Sequence, residues 1–166
     1  MAGHVIHIHT VIPAPPAVIW EVITDVGRAA EVLRSVSSSE LVTDGPYDVG
    51  TVWREERTMF GHHGEEELRV VSCEPPLRTR FETRVGHDTI VTSYSMTPTP
   101  HGETSSHGET TRLSQTTTVV MSDRTRRELW AWKFFGAFSF EATRRMLQHD
   151  LEDISAEVSR RFADQH

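Results

Sequence analysis

Between Asp44 and Arg80, turn signals cut the chain into three strand-sized pieces that follow one another directly. Gly45-Pro46 and Gly50 open the stretch, Gly61-His62-His63-Gly64 divides it, and Glu74-Pro75-Pro76 divides it again. Each is a local instruction to turn rather than continue. Between the turns, long charged residues alternate with Val52, Trp53, Met59, Leu68, Val70 and Val71. The stretch therefore reads as a meander of antiparallel strands with one wet and one dry face. A dry face needs a cover, and what covers it decides what the chain can do.

The 166 residues suit a single domain over 1–166, which buries about two thirds of its unfolded surface on folding. A net charge of -7 and a sequence pI of 5.8 argue against nucleic acid or an anionic membrane as partner. The single cysteine, Cys73, excludes an intramolecular disulfide. The opening MAGHVIHIHTVIPAPP has neither the basic n-region nor the apolar run of a signal peptide. No apolar stretch approaches the roughly 20 residues of a membrane span; even LWAWKFFGAFSF is interrupted by Lys133. A cytoplasmic location without a membrane span is expected.

Residues from about His4 to Ile12 alternate and are rich in Val and Ile, as a strand does, until Pro13-Ala14-Pro15-Pro16 stops it. A helix follows, because proline is tolerated in a first turn and Val18, Ile19, Val22, Ile23 and Val26 recur on one face until Gly27. A short helical piece over about Arg28 to Leu33 leads to a strand over Val36 to Val42 and then to the meander. Further strands are expected over about Arg78 to Val85, Thr89 to Met96 and Arg112 to Val120. The segment PTPHGETSSHGET, with HGET twice, reads as a mobile hairpin lengthened by duplication and carries no chemistry. From about Phe138 to Phe162 the period changes: Phe140, Thr143, Leu147, Leu151, Ile154, Val158 and Phe162 recur every three or four residues. This is one long amphipathic helix with an apolar stripe suited to the dry face of the sheet.

The order strand, two short helices, six strands, long helix resembles the START/Bet v 1-like (SRPBCC) superfamily, in particular the bacterial polyketide cyclase/dehydrase-like proteins. The likeness covers nearly the whole chain and rests on IPAPPAVIWEVITDV, DGPYDVGTVWREERTMFG, CEPPLRTRFE, SYSMTP, TRLSQ and LQHDLEDISAEV. It implies an α+β helix-grip fold, a curved seven-stranded antiparallel sheet wrapped around the C-terminal helix, with a ligand cavity between them. None of these pieces is a catalytic signature. The chain departs from many members after the first helix, where they carry a tryptophan and it has Gly27-Arg28-Ala29-Ala30.

Strand alternation nominates the inward side chains. Ile90, Thr92, Tyr94 and Met96 share one face, as do Leu113, Gln115, Thr117 and Val119, and Phe81, Thr83 and Val85. On the strand from Thr51 to Phe60, Trp53, Glu55, Arg57 and Met59 compete with Val52, Arg54, Glu56, Thr58 and Phe60, and the first set is favoured inward. With the cavity that the resemblance implies, the expected ligand contacts are Trp53, Arg57, Met59, Phe81, Tyr94, Met96, Gln115, Trp132 and Phe140. The same spacing also fits a solid core, with Glu55 and Arg57 paired or facing water.

Two imidazoles, His7 and His9, share one strand face, but no CxxC, HExxH or His-carboxylate signature accompanies them and His62-His63 is placed in a turn. No metal or other cofactor is expected. The run from Trp130 to Phe138 is dense in large apolar groups around Lys133. It leaves open a lid with a hinge or break at Gly136, a homodimer contact, an interfacial loading patch and plain core.

Three functions are consistent with these residues. One is a module binding a hydrophobic small molecule, a polyketide, lipid or aromatic metabolite. Another is an aromatase/cyclase that closes a ring by aldol chemistry and dehydration, with candidates Arg57 for the oxyanion, Glu55 or a histidine as base, and Tyr94 or Gln115 to orient. The third is a protein-binding module using the Trp130 to Phe138 patch.

Overall fold

In the first strand the sequence HVIHIHTVI sorts itself by period two: Ile6, Ile8 and Ile12 are buried while Val5, His7 and His9 face water. The same rule builds six more strands in the computed structural model, which describes residues 4–59, 62–85, 88–99, 108–120 and 126–165, by backbone alone at 58, 59, 62, 63, 85 and 126–139. Strand β1 (His4–Ile12) is followed by helix α1 (Pro16–Thr24), a 3₁₀ turn (Val26–Arg28) and the short helix α2 (Ala29–Val32). Then come β2 (Val36–Leu41), β3 (Val52–Met59), β4 (His62–Glu74), β5 (Arg78–Val85), β6 (Asp88–Thr99), β7 (Thr110–Val120) and helix α3 (Arg126–Asp164).

All neighbours pair antiparallel in one seven-stranded sheet of order β1-β7-β6-β5-β4-β3-β2. The helical connection from β1 to β2 therefore crosses the full width of the sheet, and the remaining strands walk back to β1. Bulges between Val36 and Ser38 and between Val70 and Ser72 bend the two strands that carry them. Val70 is buried and its neighbour Val71 is exposed, as alternation along a strand requires.

Helix α1 starts on Pro16, whose missing N–H has no helical partner in any case, and buries Pro16, Val18, Ile19 and Val22. It ends at Thr24, before Gly27, with Thr24 Oγ1 donating back to the Trp20 carbonyl at 2.7 Å. Helix α3 runs for 39 residues, about 58 Å at 1.5 Å per residue. It starts twelve residues before the expected Phe138 and passes through Gly136 without the break that the sequence allowed there. The strands β3 and β4 stay paired to Met59 and His62, which places His62-His63 in the ladder and not in a turn.

The core has two parts. The larger joins Ile6, Ile8 and Ile12 of β1, Val18, Ile19 and Val22 of α1, Tyr94, Met96 and Leu113 of the sheet, and Leu147, Leu151, Ile154 and Val158 of α3. The smaller holds Val26, Trp53, Leu68 and Val70. Phe81 packs against both. Truncating Leu151, which is 3% exposed, leaves a cavity that α3 cannot close, so Leu151→Ala is expected to cost about 3 kcal/mol in urea denaturation with an unchanged m-value. Val71→Ala, on the outer face, should stay within about 0.5 kcal/mol of the parent.

Candidate functional site

The inward residues of the central strands do not all reach α3. Ile90, Thr92 and Tyr94 of β6, Gln115, Thr117 and Val119 of β7, Phe81 and Thr83 of β5, Glu66 and Leu68 of β4 and Arg57 of β3 stand around a cavity of ≈ 290 Å³. Ile6 of β1 and Phe140, Thr143, Met146 and Leu147 of α3 close the other side, with His4 and Asp88 completing the wall. Beside it lies a void of ≈ 50 Å³ that shares Arg57, Phe81 and Tyr94 as a partition. An aromatic series leads across the sheet to this partition: Trp20, Tyr47, Trp53, Phe81 and Tyr94 stand at successive ring separations of 6.0, 6.4, 5.2 and 5.9 Å.

Arg57 is the organising polar group. Its Nε donates to Glu55 Oε2 at 2.8 Å, and its Nη1 to Asp150 Oδ2 at 2.9 Å and to Ser35 Oγ at 3.1 Å. Ser35 Oγ donates to Asp150 Oδ1 at 2.6 Å, and Trp53 Nε1 donates to Glu55 Oε1 at 2.8 Å. The side chains of Glu55 and Asp150 are 4% and 1% exposed, and that of Arg57 is 15%. Burial works against the Arg57 charge, but the fields and hydrogen bonds of Glu55 and Asp150 outweigh it and hold the guanidinium more firmly protonated than usual. The cluster ties β3 to α3 and to the segment before β2.

Two other groups in the wall are shifted by their surroundings. Burial pushes the Tyr94 phenol well above its ordinary range, with Asp150 adding to the effect, so its hydroxyl stays a proton donor. Burial also pushes the Glu66 carboxyl up, helped by Glu55 and opposed by Arg57. Glu66 sits directly across the ladder from Glu55.

Of the contacts expected from sequence, Arg57, Phe81, Tyr94, Gln115 and Phe140 line the cavity. Trp53 and Met96 do not. Trp53 is 1% exposed and fills the smaller core against Val26, Leu68 and Val70, while Met96 is packed beside Leu113 in the larger one. Glu55, the expected base, has both carboxylate oxygens occupied, by Trp53 and by Arg57, and lines only the small void. The cavity carboxylate of β4 is Glu66 instead. Sequence reading passed over it as part of the charged run Glu65-Glu66-Glu67, although its two-residue spacing from Leu68 and Val70 puts it on the dry face. The side chains of Met59 and Trp132, the Trp130 to Phe138 patch and most of the HGETSSHGET segment lie outside the described residues. Among the described residues no helix is long and apolar enough to cross a membrane, and no group of three or more His, Cys, Asp or Glu is placed to hold a metal ion.

A family model described as polyketide cyclase/dehydrase and lipid transport matches residues 4–159. No curated protein matches the sequence. Among solved structures, the Zhui aromatase/cyclase of Streptomyces sp. R1128 superposes with a TM-score of 0.74 at 18% identity, over 97% of this chain and 96% of that one. A protein from Thermus thermophilus gives 0.72 at 18% identity, over 93% and 97%. A START superfamily protein from Mycobacterium smegmatis gives 0.69 at 12% identity, over 95% and 98%. At these identities the likeness to solved structures speaks for the helix-grip fold alone.

Glu66 makes the site's protonation measurable. Its folded pKa is raised above the unfolded value, so the native state holds this proton more tightly than the unfolded chain. Its contribution to stability is fully present below the unfolded pKa and is lost as pH rises through the folded one. Glu66→Gln removes that titration, so its Tm is expected to exceed that of the parent at pH 7 and the gap to close as the pH falls toward ~4. Thermal melts at both pH values check this; an equal offset at both would contradict it.

Proposed function

The chain belongs to the polyketide cyclase/dehydrase and lipid transport family, and from that premise we propose that it binds a largely apolar small molecule, a polyketide, lipid or aromatic metabolite, between the sheet and α3. The observation that carries this reading is the ≈ 290 Å³ cavity itself. Protein interiors pack with few voids larger than a water molecule, and ligand sites begin at about this size. Ile6, Leu68, Phe81, Ile90, Val119, Phe140, Met146 and Leu147 offer apolar contact to the body of such a ligand. Arg57, Tyr94 and Gln115 supply polar points for its oxygens.

An apolar fluorescent probe should bind in this space. Thr92→Phe, which adds a ring inside the wall, should weaken probe binding at least tenfold while leaving Tm unchanged or higher. Unaltered affinity would place the probe elsewhere and count against the cavity as the site.

A second reading, an aromatase/cyclase, is favoured by Arg57, Tyr94 and Glu66 facing one cavity. In an aldol closure a base takes a proton from the carbon between two ketones, the enolate attacks a second carbonyl, and the resulting alkoxide is protonated before water is lost. Arg57 suits the developing oxyanion, Tyr94 suits proton donation, and Glu66, with its raised proton affinity, suits the base. Under this reading Arg57→Lys keeps the charge but loses the planar fork. Ring formation from a poly-β-ketone substrate should then fall at least tenfold while probe affinity changes less than twofold. Retained ring formation would remove Arg57 from the chemistry.

A further inference from the structure

Among the described residues one buried side-chain polar atom has no hydrogen-bond partner, and it is Oε1 of Gln115. The residue is 2% exposed, lies opposite Tyr94 in the β6/β7 ladder, and lines the cavity. Three threonines of the wall are satisfied within the protein. Thr83 Oγ1 donates to the Glu67 carbonyl at 2.8 Å, and the hydroxyls of Thr92 and Thr117 face each other at 3.3 Å. An orphaned buried amide oxygen destabilises a fold, and an apolar side chain of the same shape would remove the penalty. A ligand that pairs with the amide accounts for its presence.

The charge of the wall narrows what that ligand carries. Arg57 is the only Lys or Arg among the described lining residues, and it is engaged by two carboxylates, Glu55 and Asp150. Glu66 faces the same space. A carboxylate or phosphate entering here finds the cation at Arg57 already compensated, and must lose its own hydration as well.

We propose that Gln115 is a specificity-determining contact, through which the cavity selects a neutral ligand bearing a hydroxyl on an apolar body over the matching ether and the matching carboxylate. This rests on the reading of the cavity as a ligand site. A hydroxyl donates to Oε1 and also accepts from Nε2 when the amide turns. An ether only accepts, and a carboxylate only accepts and brings a charge.

The test uses three probes with one ring system: 2-naphthol, 2-methoxynaphthalene and 2-naphthoate, titrated calorimetrically at pH 7 into the full chain and into Gln115→Leu. The parent should prefer the naphthol to its methyl ether by about tenfold, equivalent to about 1.4 kcal/mol, and should bind the naphthoate more weakly than either. In Gln115→Leu the preference for the hydroxyl should shrink to about twofold or less, with Tm no lower than the parent's. If the leucine variant does melt earlier, Gln115→Met replaces it under the same expectation. Equal binding of naphthol and ether by the parent, a preference that survives in the variant, or tightest binding of naphthoate would each overturn the proposal while leaving a ligand cavity in place. Binding of none of the three would overturn the cavity reading and this inference with it.

Discussion

The contact on which the rest of the structure depends is the ion cluster of Arg57 with Glu55 and Asp150. Asp150 lies one residue before Leu151, where α3 passes from the half that faces the cavity, Phe140 to Leu147, to the half that is packed, Leu151, Ile154 and Val158. Arg34, beside Ser35, reaches α3 one turn further on, its backbone N–H and side-chain Nε each donating to Asp153 at 2.9 Å. The segment between α2 and β2 thus grips the helix at two consecutive turns. A buried pair of this kind contributes little net stability against a well-packed apolar substitute, but removal of one member is costly, typically about 3–5 kcal/mol. What the cluster supplies is orientation: a guanidinium fixed by three partners, with a face left to the cavity.

This arrangement explains why the interior is divided. The larger core clamps α3 to β1, β7 and α1, and the smaller one fills the far side around Trp53. Phe81 and Tyr94 touch across the seam at 5.9 Å. Around the cavity, Thr83, Thr92, Thr117 and Thr143 alternate with Ile6, Leu68, Ile90, Val119 and Leu147, and Phe81, Tyr94 and Phe140 complete the wall. They stop short of filling the space. The aromatic series from Trp20 reaches the cavity through its last two rings, Phe81 and Tyr94. The tryptophan that many family members carry after the first helix has no counterpart in Gly27-Arg28-Ala29-Ala30, and Trp20 with Tyr47 begins the series here.

Much of the fold was legible because it is written in local chemistry. Turn residues around Gly45-Pro46, Gly50 and Pro75-Pro76, the isoleucines of β1 and the three- and four-residue spacing of α3 each act over a few positions. Errors came where a local rule was overridden by pairing. His62-His63 belongs to the ladder and not to a turn because β3 and β4 remain in register to Met59. In the site, alternation placed Arg57, Phe81, Tyr94 and Gln115 on the concave face. It did not distinguish them from Trp53 and Met96, which share that face but meet other side chains before they meet open space.

The order and type of the elements, and the dry face of strands such as β1, β6 and β7, follow from this sequence alone, since they depend on neighbours two to four residues apart. The tertiary structure decided which inward residues enclose a cavity and which pack solid. It also decided that Glu55 is consumed in holding Arg57, that Glu66 faces the cavity in its place, and that the oxygen of Gln115 is left without a partner. Those outcomes depend on the distance between a curved sheet and one helix, set by contacts such as Arg57 to Asp150 that lie 93 residues apart in the chain. No pattern of short period carries that information.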